Sequence, residues 1–317
     1  MVKQMTGKIA FSVLMLWLVS VAASVLAGGG LDKQAEQNKV ETTEIPAKTH
    51  TIALLLDGET VLLELEEYLV GVVLSEMPAS FHQEAKKAQA VAARTFTLRM
   101  AELGYRHGSA AICADPSCCQ AYIPPERLLA QDGYEENVAL ARQAVEETAG
   151  MVLTYGGGLI EATYFSCSGG RTEDAVAVWG TEVPYLQAVD SPGEESAAFY
   201  TDSVRFTAQE FQSKLGVTLN GTPNQWFGDV EYTDGNGVAS MVIGGKAYTG
   251  NELRFLLQLR STRFSVTAFS DGVIFTTRGF GHRVGLSQYG ADAMARAGST
   301  WQEILTHYYQ GTQVDIY

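Results

Sequence analysis

Two apolar runs flank Asp57-Gly58, and their pattern predicts a hairpin over Thr51 to Leu65. Farther on, Val72-Val73-Leu74 leads through Ser75 to Glu76, Met77 and Pro78, which predicts a strand giving way to a long helix. In that helix Pro78 reads as a first-turn residue and Ser80 as a cap. Phe81, Ala85, Ala88, Ala92 and Phe96 recur at three- and four-residue steps, a face small enough for close packing. Tyr134 to Thr148 repeats Val138, Ala141 and Val145 on one helical face. Strands follow at Met151 to Tyr155 and Ile160 to Phe165, separated by Gly156-Gly157-Gly158.

In the second half, Phe206 to Lys214, Asn251 to Leu259, Ala291 to Ala297 and Trp301 to Tyr309 read as helices. Arg263 to Phe269 and Val273 to Thr277 read as strands. Asn220-Gly221, Asp234-Gly235 and Asn236-Gly237 mark turns. The mixture, without a repeat, places the chain in the α+β class, with mixed sheets and helices in two coupled lobes around a cleft. The second lobe falls at 191–277.

The N-terminal pattern is different. Residues 1–8 carry Lys3 and Lys8, and 9–27 is a charge-free apolar stretch, long enough to span a bilayer as a helix. The lysines place the N-terminus in the cytoplasm. This predicts a cytoplasmic tail at 1–8, a transmembrane anchor at 9–27, a polar linker at 28–50 and an extracytoplasmic domain at 51–317. The protein would be a single-pass protein of the cell membrane. A cleaved signal peptide is the competing reading, since Ala22, Ala23 and Ala27 offer small residues near a cut.

Composition narrows the partners. With 317 residues the chain can bury a large core. A net charge of −14 argues against nucleic acid and against anionic wall polymers, because no excess of Lys and Arg neutralises phosphates. A neutral glycan suits such a surface.

Three stretches carry candidate chemistry. Glu76 is a lone carboxylate beside an apolar run; burial would raise its pKa and a helix N-terminus would lower it, and the plain alternative is a helix-start glutamate. His107, Cys113, Cys118 and Cys119 form a ligand set that zinc prefers, with a disulfide from Cys113 to Cys118 or Cys119 as the alternative. Ser166 to Thr172 is a loop of hydroxyls and glycines, either a tight turn or a surface that a sugar can approach closely. Near the C-terminus, glycines on either side of Phe280 suggest a bend that aims His282. Ser287 and Gln288 are helix caps or sugar-bonding groups, with Tyr289 as a stacking surface.

Three blocks together resemble the stage II sporulation protein D family, which includes amidase-enhancer proteins. They are LVGVVLSEMPASFHQEAKKAQAVAARTFTL from Leu69, ATYFSCSGGRTEDAVAVWGTEVPYLQAVDSP from Ala162, and RGFGHRVGLSQYGADAMARAGSTWQEILTHYYQGT from Arg278. The resemblance implies a peptidoglycan lytic transglycosylase acting in sporulation engulfment, with Glu76 as catalytic acid and a non-catalytic amidase enhancer as the alternative. It implies substrate contacts from Arg94, Ser166, Ser168, Gly169, His282, Ser287, Gln288 and Tyr289, although eighteen helical residues put Arg94 roughly 25 Å from Glu76 on a straight helix. It implies zinc at His107, Cys113, Cys118 and Cys119. The partners implied are glycan strands, a sporulation amidase and a membrane protein of the same complex. The chain departs from the pattern at four positions: Cys118 stands where a second His can occur, Cys167 where a small polar residue is common, Gln187 where Lys occurs, and Arg283 where glycine is common.

Overall fold

Asp57 and Gly58 both take positive φ, 51° and 88°, and turn β1 (Thr51–Leu56) back onto β2 (Glu59–Glu64) in antiparallel register. The computed structural model describes residues 50–104 and 106–317. The tail, the anchor at 9–27 and all but the last residue of the linker lie outside the described residues. No helix among the described residues is long and apolar enough to cross a membrane.

The stretch before Glu76 is a helix, not a strand. α1 (Leu65–Glu76) buries Leu65, Tyr68, Leu69, Val70, Gly71, Val72 and Val73, so it shows no polar stripe to announce its period. Helix propensity penalises Val by at most about 0.7 kcal/mol. Burying such a side chain returns about 1.5–3 kcal/mol, so packing decides. Pro78 ends this helix instead of beginning the next, because it disfavours α backbone at Met77, which sits at φ −114°, ψ 124°. The next helix, α2 (Gln83–Glu102), is capped by His82, whose ring accepts the Glu84 N–H; Ser80 is not its cap.

The chain continues through β3 (Ile112–Cys113), parallel to β1, then α3 (Pro125–Leu129), α4 (Glu135–Glu146), β4 (Met151–Tyr155), β5 (Gly158–Leu159) and β6 (Tyr164–Phe165). The strand expected over Ile160 to Phe165 is thus interrupted, and the chain passes there from one small sheet to another. Next come α5 (Ala175–Trp179), β7 (Thr201–Thr207), α6 (Ala208–Leu215), β8 (Phe227–Tyr232), β9 (Val238–Ile243), β10 (Lys246–Thr249) and α7 (Gly250–Leu257). The chain ends with β11 (Phe264–Ala268), β12 (Gly272–Arg278), β13 (Leu286–Ser287), α8 (Gln288–Arg296), α9 (Trp301–Tyr308) and β14 (Gln313–Ile316). The fold is α+β, built on several small sheets rather than one large one.

Two hydrophobic clusters support it. One gathers α1, α2, α4, α8 and α9 around Tyr68, Val91, Leu153 and Tyr308. The other is drawn from residues between Phe206 and Phe275, with Phe211 stacked on Trp226 at 5.9 Å between centroids. A buried pair joins the segments: Arg283 lies 3.5 Å from Glu173, whose carboxylate also accepts Thr233 Oγ1–H and the Gly235 N–H. Arg283 takes φ 68°, the left-handed region glycine favours, and donates to the carbonyls of Ser168 and Arg171.

Candidate active site

Glu76 is the last residue of α1, so the negative end of that helix acts on it rather than the positive end of the next. Across its face passes the segment Cys118 to Ile123. It can pass so close because residue 71 is glycine: a Cβ there would lie 2.4 Å from the Ile123 carbonyl oxygen and from the Tyr122 ring. The crossing delivers the Ala121 N–H to Glu76 Oε1 at 2.8 Å. Gln120 pins the segment, donating to Tyr68 Oη and Thr97 Oγ1 and accepting from Tyr164 Oη at 2.7 Å.

The second hydrogen bond to Glu76 comes from the opposite end of the chain. β13 pairs in parallel with β6, and Ser287 caps α8, so Gln288 begins that helix and donates Nε2–H to Glu76 Oε2 at 3.0 Å. Gly285 makes the approach possible, since a Cβ there would lie 2.1 Å from the Thr163 carbonyl oxygen. Burial raises the Glu76 pKa; the Ala121 and Gln288 hydrogen bonds offset part of that rise. A half-buried carboxyl whose pKa is raised keeps its proton to higher pH than a free carboxyl does, the property a general acid needs.

Glu76 lies in a cleft of about 640 Å³. Ser75, Cys118, Cys119 and Ala121 line one part of it, and Tyr164, Phe165, Ser166, Trp179 and His282 another. His282 gives its Nε2–H to the Tyr164 carbonyl at 3.0 Å and accepts the Val284 N–H on Nδ1, so both ring nitrogens are engaged by backbone. Burial pushes its pKa down to about 4, which leaves a neutral ring that shapes the cleft without shuttling protons. Among the lining residues that sequence reasoning did not assign to the site are Arg106, Glu161, Trp179 and Phe280. Glu161 stands one position before the Ala162 block and is exposed. Nothing in its local sequence marks it.

Of the residues assigned to substrate by resemblance, the cleft brings together Ser166, His282 and Gln288 with Glu76. Arg94 is elsewhere: fully buried, it grips Glu66 of α1 at 2.6 Å and donates to the Met151 and Val145 carbonyls. It ties α1 to α2 and β4, and its partner Glu66 stands near the start of α1 whereas Glu76 is the last residue of that helix, roughly 15 Å along the axis. Tyr289 meets Phe81 edge-on at 4.8 Å. Ser168, Gly169 and Ser287 serve a carboxylate that the sequence did not point to. Glu194, 1% exposed, accepts both N–H groups of Ser168 and Gly169 and the Ser168 hydroxyl on Oε2, and the Ser191 and Ser287 hydroxyls on Oε1. The Ser-Gly-Gly loop is therefore wrapped around a protein group. Cys167 is buried beneath it, and burial pushes its thiol up to about 12.

His107, Cys113, Cys118 and Cys119 bring their ligand atoms within 4.8 Å of one another, and all four cysteines are free thiols. Zinc–sulfur and zinc–nitrogen bonds of about 2.3 and 2.0 Å place tetrahedral ligands roughly 3.5–4 Å apart. His107 Nε2 lies 3.3 Å from Cys119 Sγ and 3.9 Å from Cys118 Sγ. Burial and the adjoining thiols raise Cys118 and push Cys119 up to about 12; a divalent cation is the partner that relieves such crowding. The donor set fits zinc.

A family model described as "Stage II sporulation protein" matches residues 58–155. The chain is 43% identical over 258 residues to "Stage II sporulation protein D" of Bacillus subtilis (strain 168), covering 80% of this chain and 74% of that protein. It is 42% identical over 257 residues to the protein of the same name from Bacillus amyloliquefaciens, with the same coverage of each. Similarity also extends to "Amidase enhancer" of Bacillus subtilis (strain 168), 28% identical over 308 residues, covering 78% of this chain and 40% of that protein.

Proposed function

The chain belongs to the stage II sporulation protein D family, and from that premise we propose that it is a peptidoglycan lytic transglycosylase with Glu76 as its catalytic acid and base. The observation that carries the proposal is the half-buried Glu76 carboxyl in the cleft, with a raised pKa and two fixed donors.

Glycoside hydrolysis generally needs a second carboxylate as base or nucleophile. Transglycosylation does not, because the substrate carries its own nucleophile. Glu76 donates its proton to the oxygen leaving N-acetylmuramic acid, and the bond from that oxygen to the anomeric carbon breaks. The C6 hydroxyl of the same sugar attacks the anomeric carbon and closes a 1,6-anhydro ring, and the Glu76 carboxylate takes the hydroxyl's proton. The acid is then restored. Ala121 and Gln288 stabilise the carboxylate between the two transfers; Ser166 stands in the cleft as a hydroxyl for the glycan.

His107, Cys113, Cys118 and Cys119 would hold zinc. Four protein ligands leave no position for water, so the ion would supply a structural cross-link rather than Lewis-acid chemistry. Residues 9–27 anchor the protein in the cell membrane with 51–317 outside, where a sporulation amidase and a membrane protein of the same complex are its partners. A second reading, a non-catalytic amidase enhancer, is favoured by the similarity to the protein of that name.

The full-length protein incubated with peptide-free glycan strands tests the choice. An enzyme produces 1,6-anhydro-muramic ends, and Glu76→Gln produces none. No such ends from the unaltered protein, with amidase activity raised equally by both proteins, establishes the enhancer instead.

A further inference from the structure

Trp179 is a large apolar side chain left 45% exposed in the cleft that holds Glu76. It is not loose. Its helix ends at Gly180, whose left-handed backbone (φ 76°) returns its N–H to the Val176 carbonyl at 2.9 Å. Asn251 of α7 donates to the neighbouring Val178 carbonyl at 3.0 Å. The indole lies against the His282 ring, 5.5 Å between centroids at 45°, and backbone groups hold that ring at both nitrogens.

An aromatic face opening into a cleft of mixed polar and apolar lining has one role that its exposure fits: stacking against the C–H face of a pyranose ring. Such a ring is apolar on its faces and polar at its rim. The rim needs hydroxyl partners nearby, and the same cleft supplies the exposed Glu161 carboxylate, an acceptor for hydroxyls. We propose that Trp179, backed by His282, is a stacking face for an N-acetylated hexose ring of the glycan, with Glu161 receiving its hydroxyls. This rests on the reading of the cleft as a glycan site.

The test uses full-length protein carrying Glu76→Gln, which binds without turnover, and a soluble peptide-free tetrasaccharide of alternating N-acetylglucosamine and N-acetylmuramic acid. Trp179→Ala should weaken binding about tenfold or more, while Trp179→Phe, which keeps an aromatic face, stays within about threefold. The tetrasaccharide should change tryptophan fluorescence in the Glu76→Gln protein but not in its Trp179→Phe derivative. Matching melting temperatures establish that the variants fold alike. Binding that ignores Trp179→Ala overturns the stacking face and leaves the glycan reading standing. No binding by the Glu76→Gln protein removes both.

Discussion

Glu76 and Glu194 are carboxylates sunk into the same protein, yet their neighbourhoods are built to opposite ends. Glu194 receives five donors from three chain segments and has no access to the cleft. Glu76 receives two, and it lines the cleft. Donor count separates a clasp from a reactive group: saturation fixes a loop, whereas partial satisfaction with desolvation leaves a proton that can be given away.

The strongest way to break the comparison is to neutralise each group. Glu76→Gln should reduce formation of anhydro ends by on the order of 10²–10⁴-fold with the fold retained, as followed by product analysis and a melting curve. Glu194→Gln should do the reverse, costing about 3 kcal/mol in denaturant unfolding because an amide nitrogen then faces donors. Next in size, Gly71→Ala drives a methyl into Ile123 and Tyr122. It should cost about 1–3 kcal/mol and lower activity through the Ala121 contact, with the Ala121 amide exchanging faster with solvent.

The pH profile sharpens the comparison further. Glu76 acts first as an acid, so activity should fall as pH rises through its raised pKa. Gln288→Ala removes a hydrogen bond that lowers that pKa and should move the alkaline limb of kcat/KM upward. Stability carries the same sign: with the folded pKa above the unfolded one, the folded state holds more protons between them, so stability is lost as pH rises across that window. Glu76→Gln should abolish that part of the loss. The smallest effect belongs to Glu161→Gln, which should leave the anhydro product and change turnover by only a few-fold; a hydrolytic product that vanishes with Glu161 would instead make it a second catalytic carboxylate.

What the amino-acid sequence made readable was local chemistry. The Asp57-Gly58 turn and the Asn236-Gly237 turn require positive φ, and residues that tolerate it stand there. α4 shows its period because one side meets solvent. α1 hid its period because packing surrounds it, and its β-branched residues imitated a strand. The contacts that define Glu76 are not local at all: Ala121 and Gln288 lie 45 and 212 residues away along the chain. No spacing rule reaches that far. The same holds for Arg94, whose partner Glu66 lies 28 residues back on α1, a helix whose apolar run has the local pattern of a strand.

A single residue separates Cys119 from Ala121, and its side chain is already committed to three other elements. That tether has no slack. One extra residue at the Asp57-Gly58 tip would bulge into solvent, whereas one inserted after Cys119 would have nowhere to go except into the spacing between the thiol cluster and the acid. Length variation should therefore be tolerated in the first hairpin and forbidden here, even where every side chain is kept.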